Sequence, residues 1–178
     1  MIRIVTGGAR SGKSSFAESA YEGRQDVVYI ATSIVTDGEM QERVDRHRES
    51  RPKGWRTFEG YSGLTEALGS EKNYLLDCIT IMTSNILFEE SQGLDRISRE
   101  LKDQVEDRVV GEVRALIEAI RRIDANLILV TNELGSSIVP DNHLSRVFRD
   151  IQGRVNQRLA ELCDEAYLVV LGCAVKLK

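Results

Sequence analysis

The sequence is poor in the features that mark secreted, metal-clustering and membrane-spanning proteins. It has three cysteines, Cys78, Cys163 and Cys173, and their spacing fits no metal-ligand pattern. We therefore expect all three to be buried thiols of a protein in a reducing compartment. No apolar run approaches the roughly 20 residues that a helix needs to cross a bilayer. Arg3 and a glycine-rich stretch stand where a signal peptide would have its apolar segment, so we expect no export signal.

The charge balance argues against one further class of protein. A broad nucleic-acid-binding surface needs an excess of lysine and arginine, whereas this chain has a net charge of −4. Together, these absences predict a cytoplasmic protein that has no membrane span and no nucleic-acid partner.

Short apolar runs alternate with helical patterns along the 178 residues. The runs at residues 2–5, 27–31, 74–77, 127–131 and 166–171 predict buried strands, and residues 174–177 a further edge strand. Residues 55–63 look irregular, and residues 97–123 predict one long amphipathic helix. With no repeat and no linker, this alternation predicts an α/β fold with a mainly parallel sheet, helices on both faces, and a single domain over residues 1–178.

The first predicted strand leads directly into a phosphate-binding loop. The residues fit the pattern G-x-x-x-x-G-K-[ST] and are Gly7, Gly8, Ala9, Arg10, Ser11, Gly12, Lys13 and Ser14. Backbone N–H groups of such a loop surround phosphate oxygens, and glycines let the backbone approach them closely. We expect Lys13 to contact the β- and γ-phosphates and the Ser14 hydroxyl to bind Mg²⁺.

Two carboxylates follow other predicted strands. Asp77 ends the third apolar run, which is the pattern of an aspartate that binds Mg²⁺ or its water shell in enzymes with a phosphate-binding loop. Glu133 follows the fourth run. Since ligands of open α/β sheets bind at the carboxyl ends of the strands, we expect both side chains near the site.

A cationic segment lies between the second and third predicted strands. It contains Arg43, Arg46, His47, Arg48 and Arg51 within nine positions. One interpretation is the solvated face of a basic helix. The other is a nucleophile or general acid among phosphate-binding arginines. For Arg154 and Arg158, further along the chain, we expect a solvated surface.

Several stretches together resemble one family nearly end to end. They are residues 7–14, 29–32, 37–40, 43–48, 51–52, Trp55, 75–78, 132–133, 138–140, 148–150 and 153–157. The family is the bifunctional adenosylcobinamide kinase/adenosylcobinamide-phosphate guanylyltransferase of cobalamin biosynthesis. The resemblance implies a RecA-like P-loop fold, a homotrimer, and Mg²⁺ with ATP and GTP as substrates. Ser136 and Ser137 replace a more usual methionine-glycine pair.

The resemblance also implies two reactions and a set of site residues. A nucleoside triphosphate phosphorylates adenosylcobinamide, and GMP from GTP then passes through a histidine to the adenosylcobinamide phosphate, giving adenosyl-GDP-cobinamide. The match assigns the guanylylated histidine to His47. Besides the phosphate loop, it implies nucleotide contacts at Ser33, Ile34, Val35, Arg48, Glu49, Ser50, Arg51, Glu59 and Asp77, and metal contacts at Ser14 and Asp77.

The phosphate loop alone is compatible with two other functions. A P-loop kinase for another small metabolite would transfer phosphate without a covalent nucleotidyl-enzyme. A nucleotide-switched binding protein would bind nucleotide tightly with negligible turnover and would have no need of His47 beside Arg48 and Arg51.

Overall fold

The computed structural model of the chain describes residues 1–33, 54–92, 94 and 96–178. In these residues one mixed sheet has the order β3-β2-β4-β5-β1-β6-β7. Adjacent strands are parallel except for the antiparallel pair β6–β7. The strands are β1 (Ile2–Gly7), β2 (Val27–Ala31), β3 (Arg56–Glu59), β4 (Asn73–Asp77), β5 (Asn126–Asn132), β6 (Glu165–Val170) and β7 (Cys173–Lys176). The predicted α/β class with a mainly parallel sheet is confirmed.

Helices cover both faces of the sheet, as predicted. One face packs against α2 (Ile79–Glu90), α3 (Arg99–Arg122) and α4 (His143–Leu162), and a short 3-10 helix (Leu64–Ala67) lies on the same side. The other face packs against α1 (Lys13–Ser19) and the aromatic pair Tyr21 and Trp55. Side chains alternate between the two layers, as the pleat of a strand requires: Leu127 and Leu129 join the first layer, Ile128 and Val130 the second.

The long predicted helix is continuous through Gly111. It forms α3, whose 24 residues begin after Ser98, and the Ser98 hydroxyl caps the helix by accepting from the Leu101 N–H. Its buried positions recur every three to four residues, which keeps one stripe against the sheet and α4.

The irregular structure expected at residues 55–63 is wrong for its first part. Arg56–Glu59 forms β3, which pairs in parallel with β2 and occupies one end of the sheet. Phe58 is its only partly buried side chain, and the other three are exposed. An edge strand with so little buried surface has no apolar run for a sequence pattern to detect.

The solvated surface expected for Arg154 and Arg158 is also wrong. Both side chains reach from α4 to the carboxylate of Glu106 on α3, with Arg158 donating at 2.9 Å. Glu106 is 7% exposed, so these arginines neutralise a carboxylate that packing removes from water. Asp107 extends the contact by accepting from Arg158 at 2.8 Å.

The cysteines do not all share one environment. Cys78 and Cys163 are buried as expected, but Cys173 is exposed on β7. Burial raises the pKa of both the Cys78 and the Cys163 thiol to about 12, because the thiolate loses its hydration.

We predict that Glu106→Gln lowers the free energy of unfolding by about 1–3 kcal/mol, because two arginines lose their charged acceptor in a partly buried contact. Urea unfolding followed by circular dichroism measures the change. Glu118→Gln on the exposed side of the same helix is the matched control and should change stability by less than about 0.5 kcal/mol. Equal effects of the two substitutions would contradict a stabilising role for the Glu106 contact.

We also predict that iodoacetamide at pH 8 modifies Cys173 alone in the folded protein, because the reactive species is the thiolate. Mass spectrometry of proteolytic fragments identifies the modified residue. The same reaction in urea should modify all three cysteines. Modification of Cys78 at the rate of Cys173 in the native protein would contradict the burial described above.

Candidate active site

The phosphate-binding loop connects β1 to α1 and folds so tightly that two glycines are required. A Cβ on Gly7 would lie 2.5 Å from both the Ser11 hydroxyl and the Val169 carbonyl oxygen. Gly12 has a φ of +94°, and a Cβ there would lie 3.1 Å from the Cα of Gly172. By contrast, a Cβ on Gly8 would meet no described atom within 4 Å. The loop backbone is therefore packed against β6 and the turn that follows it on one side, and it is open at Gly8.

The turn between β6 and β7 supports this loop. Leu171 and Gly172 both have positive φ, and the Gly172 N–H donates to the Ser11 carbonyl at 2.9 Å. Lys13 folds back over the loop, and its ammonium donates to the Gly8 carbonyl at 3.2 Å. Gly12 at the start of α1 gives no side-chain cap to the N–H groups of the first turn. The arrangement is a concave, glycine-rich loop with one lysine over it.

Asp77 is the last residue of β4, at the same carboxyl edge of the sheet as the phosphate loop. Its carboxylate accepts from the Tyr29 hydroxyl at 3.1 Å. Behind it, the Thr32 hydroxyl donates to the Cys78 carbonyl at 2.7 Å and accepts from the Cys78 N–H at 3.0 Å. These contacts fix the turn after β4, and with it Asp77, to the end of β2. Thr32 is fully buried, and neither Tyr29 nor Thr32 had been identified as a support for Asp77 from the sequence.

The sheet order sets the spacing between the predicted contacts. β5 alone separates β4 from β1, and Gly7 lies two residues beyond the position opposite Asp77, so the two residues lie about 12 Å apart across the sheet. Glu59 is exposed at the end of β3, four strand intervals from β1 and therefore about 19 Å from the loop. Ser33 follows β2 between them. The other predicted site residues lie outside the described residues; they are Ile34, Val35, His47, Arg48, Glu49, Ser50 and Arg51.

The donor set fits magnesium as an enzyme with a phosphate-binding loop holds it. Among the described residues, no group of three or more histidine, cysteine, aspartate or glutamate side chains could hold a metal ion. Mg²⁺ commonly takes one or two protein oxygens and completes its shell with phosphates and water. The Ser14 hydroxyl at the phosphate loop and the Asp77 carboxylate at the end of β4 would supply such a pair of oxygens.

Several polar residues to which the sequence analysis assigned no role surround the end of β5. Thr131 is fully buried and contacts Gln152 and Asn156 of α4. The Asn132 N–H donates to the Thr80 hydroxyl at 2.7 Å. The sequence gives only a weak signal for this group. Thr131 and Asn132 are two polar residues at the end of an otherwise apolar run, and their partners Thr80, Gln152 and Asn156 belong to two different helices.

Glu133 lies at this edge as expected and is engaged with its own loop. Burial raises the pKa of its carboxyl, but hydrogen bonds from Ser136 and from the Gly135 N–H outweigh this and lower it. The Ser136 contacts include its backbone N–H, which any residue other than proline supplies.

The sheet order and the loop together define a RecA-like P-loop fold. Among solved structures, the chain resembles a prototypical ATPase from the type III secretion system of pathogenic bacteria, with a TM-score of 0.58 and 11% identity over 99% of this chain and 56% of that one. The family model described as cobinamide kinase / cobinamide phosphate guanyltransferase matches residues 3–177, and the chain belongs to that family.

Curated relatives agree with the family model. The chain is 45% identical to the bifunctional adenosylcobalamin biosynthesis protein CobU of Escherichia coli strain K12, over all of both chains. The protein of that name from Salmonella typhimurium is equally similar. Identity to the bifunctional adenosylcobalamin biosynthesis protein CobP of Pseudomonas aeruginosa is 38%, over all of this chain and 98% of the relative.

We predict that Gly7→Ala destabilises the protein by about 2 kcal/mol or more, because the new methyl group meets a backbone carbonyl that cannot move freely. Gly8→Ala is the matched control, since its methyl group enters open space and should change stability by less than about 0.5 kcal/mol. Urea unfolding measures both variants. A stable Gly7→Ala protein would show that the loop is less tightly packed than described.

Proposed function

We propose that the protein phosphorylates adenosylcobinamide with ATP or GTP and then transfers GMP from GTP to the product, giving adenosyl-GDP-cobinamide. The observation that carries this proposal is the match of the family model to residues 3–177 together with a complete phosphate loop in the required strand–loop–helix setting. The loop alone would support any nucleotide-dependent kinase. The family match gives the substrate class.

In the first reaction, the phosphate loop holds the triphosphate and Lys13 contacts its β- and γ-phosphates. Ser14 and Asp77 would hold Mg²⁺, which supplies charge neutralisation for the phosphoryl group. The hydroxyl oxygen of the aminopropanol arm forms the new bond to the γ-phosphorus, and the nucleoside diphosphate leaves. Tyr29 and Thr32 keep Asp77 in position through the contacts described above.

In the second reaction, His47 is the nucleophile. A neutral imidazole nitrogen attacks the α-phosphorus of GTP, and the bond to the bridging oxygen breaks to release pyrophosphate. Arg48 and Arg51 stabilise the charge on the transferred group and favour the neutral imidazole. The phosphate of adenosylcobinamide phosphate then displaces the imidazole. The segment that carries His47 follows Ser33, and Ser33 adjoins the strand end beside Asp77, which supports a shared site.

The remaining nucleotide contacts in this proposal extend from the loop towards β3. They comprise residues 7–14, Ser33, Ile34, Val35, Arg48, Glu49, Ser50, Arg51, Glu59 and Asp77. The active form is a homotrimer in the cytoplasm. The described helices include none with the length and apolar composition of a membrane span.

We predict that Mg²⁺ and GTP labelled at the α-phosphate leave an acid-labile, base-stable label on the protein and that His47→Ala abolishes it. His143→Ala is the matched control, because the chain has two histidines and His143 is exposed at the start of α4. It should retain the label fully. Chelation of the divalent cation should prevent labelling in all variants.

The contrary outcomes separate the competing functions. A folded protein that phosphorylates cobinamide but takes no α-label would contradict the guanylyltransferase half. Loss of label in His143→Ala, with His47→Ala unaffected, would move the nucleophile to the other histidine. Tight nucleotide binding without any turnover would support a nucleotide-switched binding protein.

A further inference from the structure

Asn132 occupies the gap between the phosphate loop and Asp77. It is the last residue of β5, which runs between β4 and β1, and it is directly opposite Gly7 in the register with β1. Asp77 is opposite Val130, so Asn132 lies two residues beyond it on the neighbouring strand, about 8 Å away.

The side chain of Asn132 belongs to the α1 face of the sheet. Ile128 and Val130 pack in the layer that contains Val5 and Ala17, and side chains alternate along a strand. Asn132 follows Val130 at the same period. Thr131 points to the opposite face, where it contacts Gln152 and Asn156 of α4. Asn132 therefore shares its face with Asp77 and the phosphate loop.

The backbone of Asn132 is held from the opposite face. Its N–H donates to the Thr80 hydroxyl at 2.7 Å, and its carbonyl accepts from the Asn156 side-chain amide at 3.0 Å. Asn156 is itself fixed, because its side-chain oxygen accepts from Thr131 at 2.7 Å and from Gln152 at 2.8 Å. The position of Asn132 is thus determined by backbone contacts that make no use of its side chain.

The side-chain oxygen of Asn132 is buried and has no hydrogen-bond partner among the described residues. A buried acceptor in this state costs about 1–3 kcal/mol. The Ser11 hydroxyl within the phosphate loop is in the same state. The Thr6 hydroxyl and the Gln152 side-chain oxygen are in the same state, and Gln152 belongs to α4, where it contacts Thr131 on the other face.

We propose that the Asn132 side chain contacts the γ-phosphoryl group and the attacking acceptor during phosphoryl transfer. Its amide N–H donates to a γ-phosphate oxygen, and its oxygen accepts a hydrogen bond from the acceptor hydroxyl. The acceptor oxygen bonds to the γ-phosphorus, the bond to the β,γ-bridging oxygen breaks, and the hydroxyl proton is released to water. Asn132 gains and loses no proton. This inference rests on the kinase half of the proposed function.

The chemistry of the amide suits this task. An uncharged group with a donor and an acceptor on one plane can contact two reacting oxygens without repelling the triphosphate. A carboxylate of the same shape would place a negative charge against the γ-phosphate. The contact forms with the nucleotide, so the unpartnered oxygen of the free protein finds its partner only in the reacting complex.

The experiment compares the wild type with Asn132→Ala, Asn132→Asp and Asn126→Ala. Asn126 is the matched control, because it begins the same strand and lies about 20 Å away at the opposite edge of the sheet. Four quantities are measured: phosphoryl transfer from γ-labelled ATP to cobinamide and to water, guanylylation by α-labelled GTP, the Kd of a non-hydrolysable triphosphate, and the thermal midpoint.

We expect Asn132→Ala to lower kcat for phosphoryl transfer about 100-fold, with KM for the nucleotide changed less than about 3-fold. Guanylylation should change less than about 5-fold, because that reaction breaks the bond at the α-phosphorus and not at the γ-phosphorus. The thermal midpoint should not fall, because the removed side chain makes no hydrogen bond through its oxygen in the free protein and the unpartnered acceptor is lost with it. Asn132→Asp should also weaken triphosphate binding at least 10-fold. Asn126→Ala should retain both activities.

Three results would overturn the inference: an unchanged kinase rate in Asn132→Ala, a parallel loss of both activities, or a loss of activity that follows a lowered thermal midpoint. Failure of the proposed function gives a different pattern. If the wild type transfers no phosphate to cobinamide, the proposed substrate is wrong, and the slow transfer to water still tests Asn132. There, an unchanged rate in Asn132→Ala overturns the inference and a 100-fold loss supports it.

Discussion

The hydrogen bond from the Gly172 N–H to the Ser11 carbonyl ties the phosphate loop to the turn between β6 and β7, and much of the site depends on this close contact. Gly12 lies so close to this turn that a Cβ on it would be 3.1 Å from the Gly172 Cα. The loop belongs to the start of the chain and the turn to its end, so the nucleotide site is complete only when the sheet has formed from both.

A second set of contacts fixes the other side of the site. Thr32 binds both backbone groups of Cys78, and Tyr29 donates to Asp77, so β2 holds the end of β4 in place. On the opposite face, the end of β5 is held by a polar group that consists of Thr80, Thr131, Gln152 and Asn156. Strand ends are the least constrained parts of a sheet, and here each one that faces the phosphate loop is tied by a side chain from a neighbouring element.

The sequence predicted the parts of the fold that depend on local pattern. The buried strands are apolar runs, and the phosphate loop is a motif whose residue types follow from phosphate chemistry. The features that the sequence did not predict depend on contacts between residues far apart in the chain. Arg158 looked like surface because its partner Glu106 is 52 positions away, and β3 was missed because an exposed edge strand has no apolar run. Asn132 lies in one of the stretches that resemble the family, but the sequence assigned it no role, since the role proposed for it depends on which strands flank β5.

The loop contacts have a consequence for the thermodynamics of nucleotide binding. The carbonyl groups of Ser11 and Gly8 already accept hydrogen bonds from the Gly172 N–H and the Lys13 ammonium, so the loop keeps its conformation without a ligand. Its conformational entropy is lost during folding and not at the moment of binding. Association then requires the Lys13 ammonium to exchange a neutral carbonyl for a charged phosphate oxygen. The affinity for triphosphate should consequently depend on ionic strength far more than on any ordering of the loop.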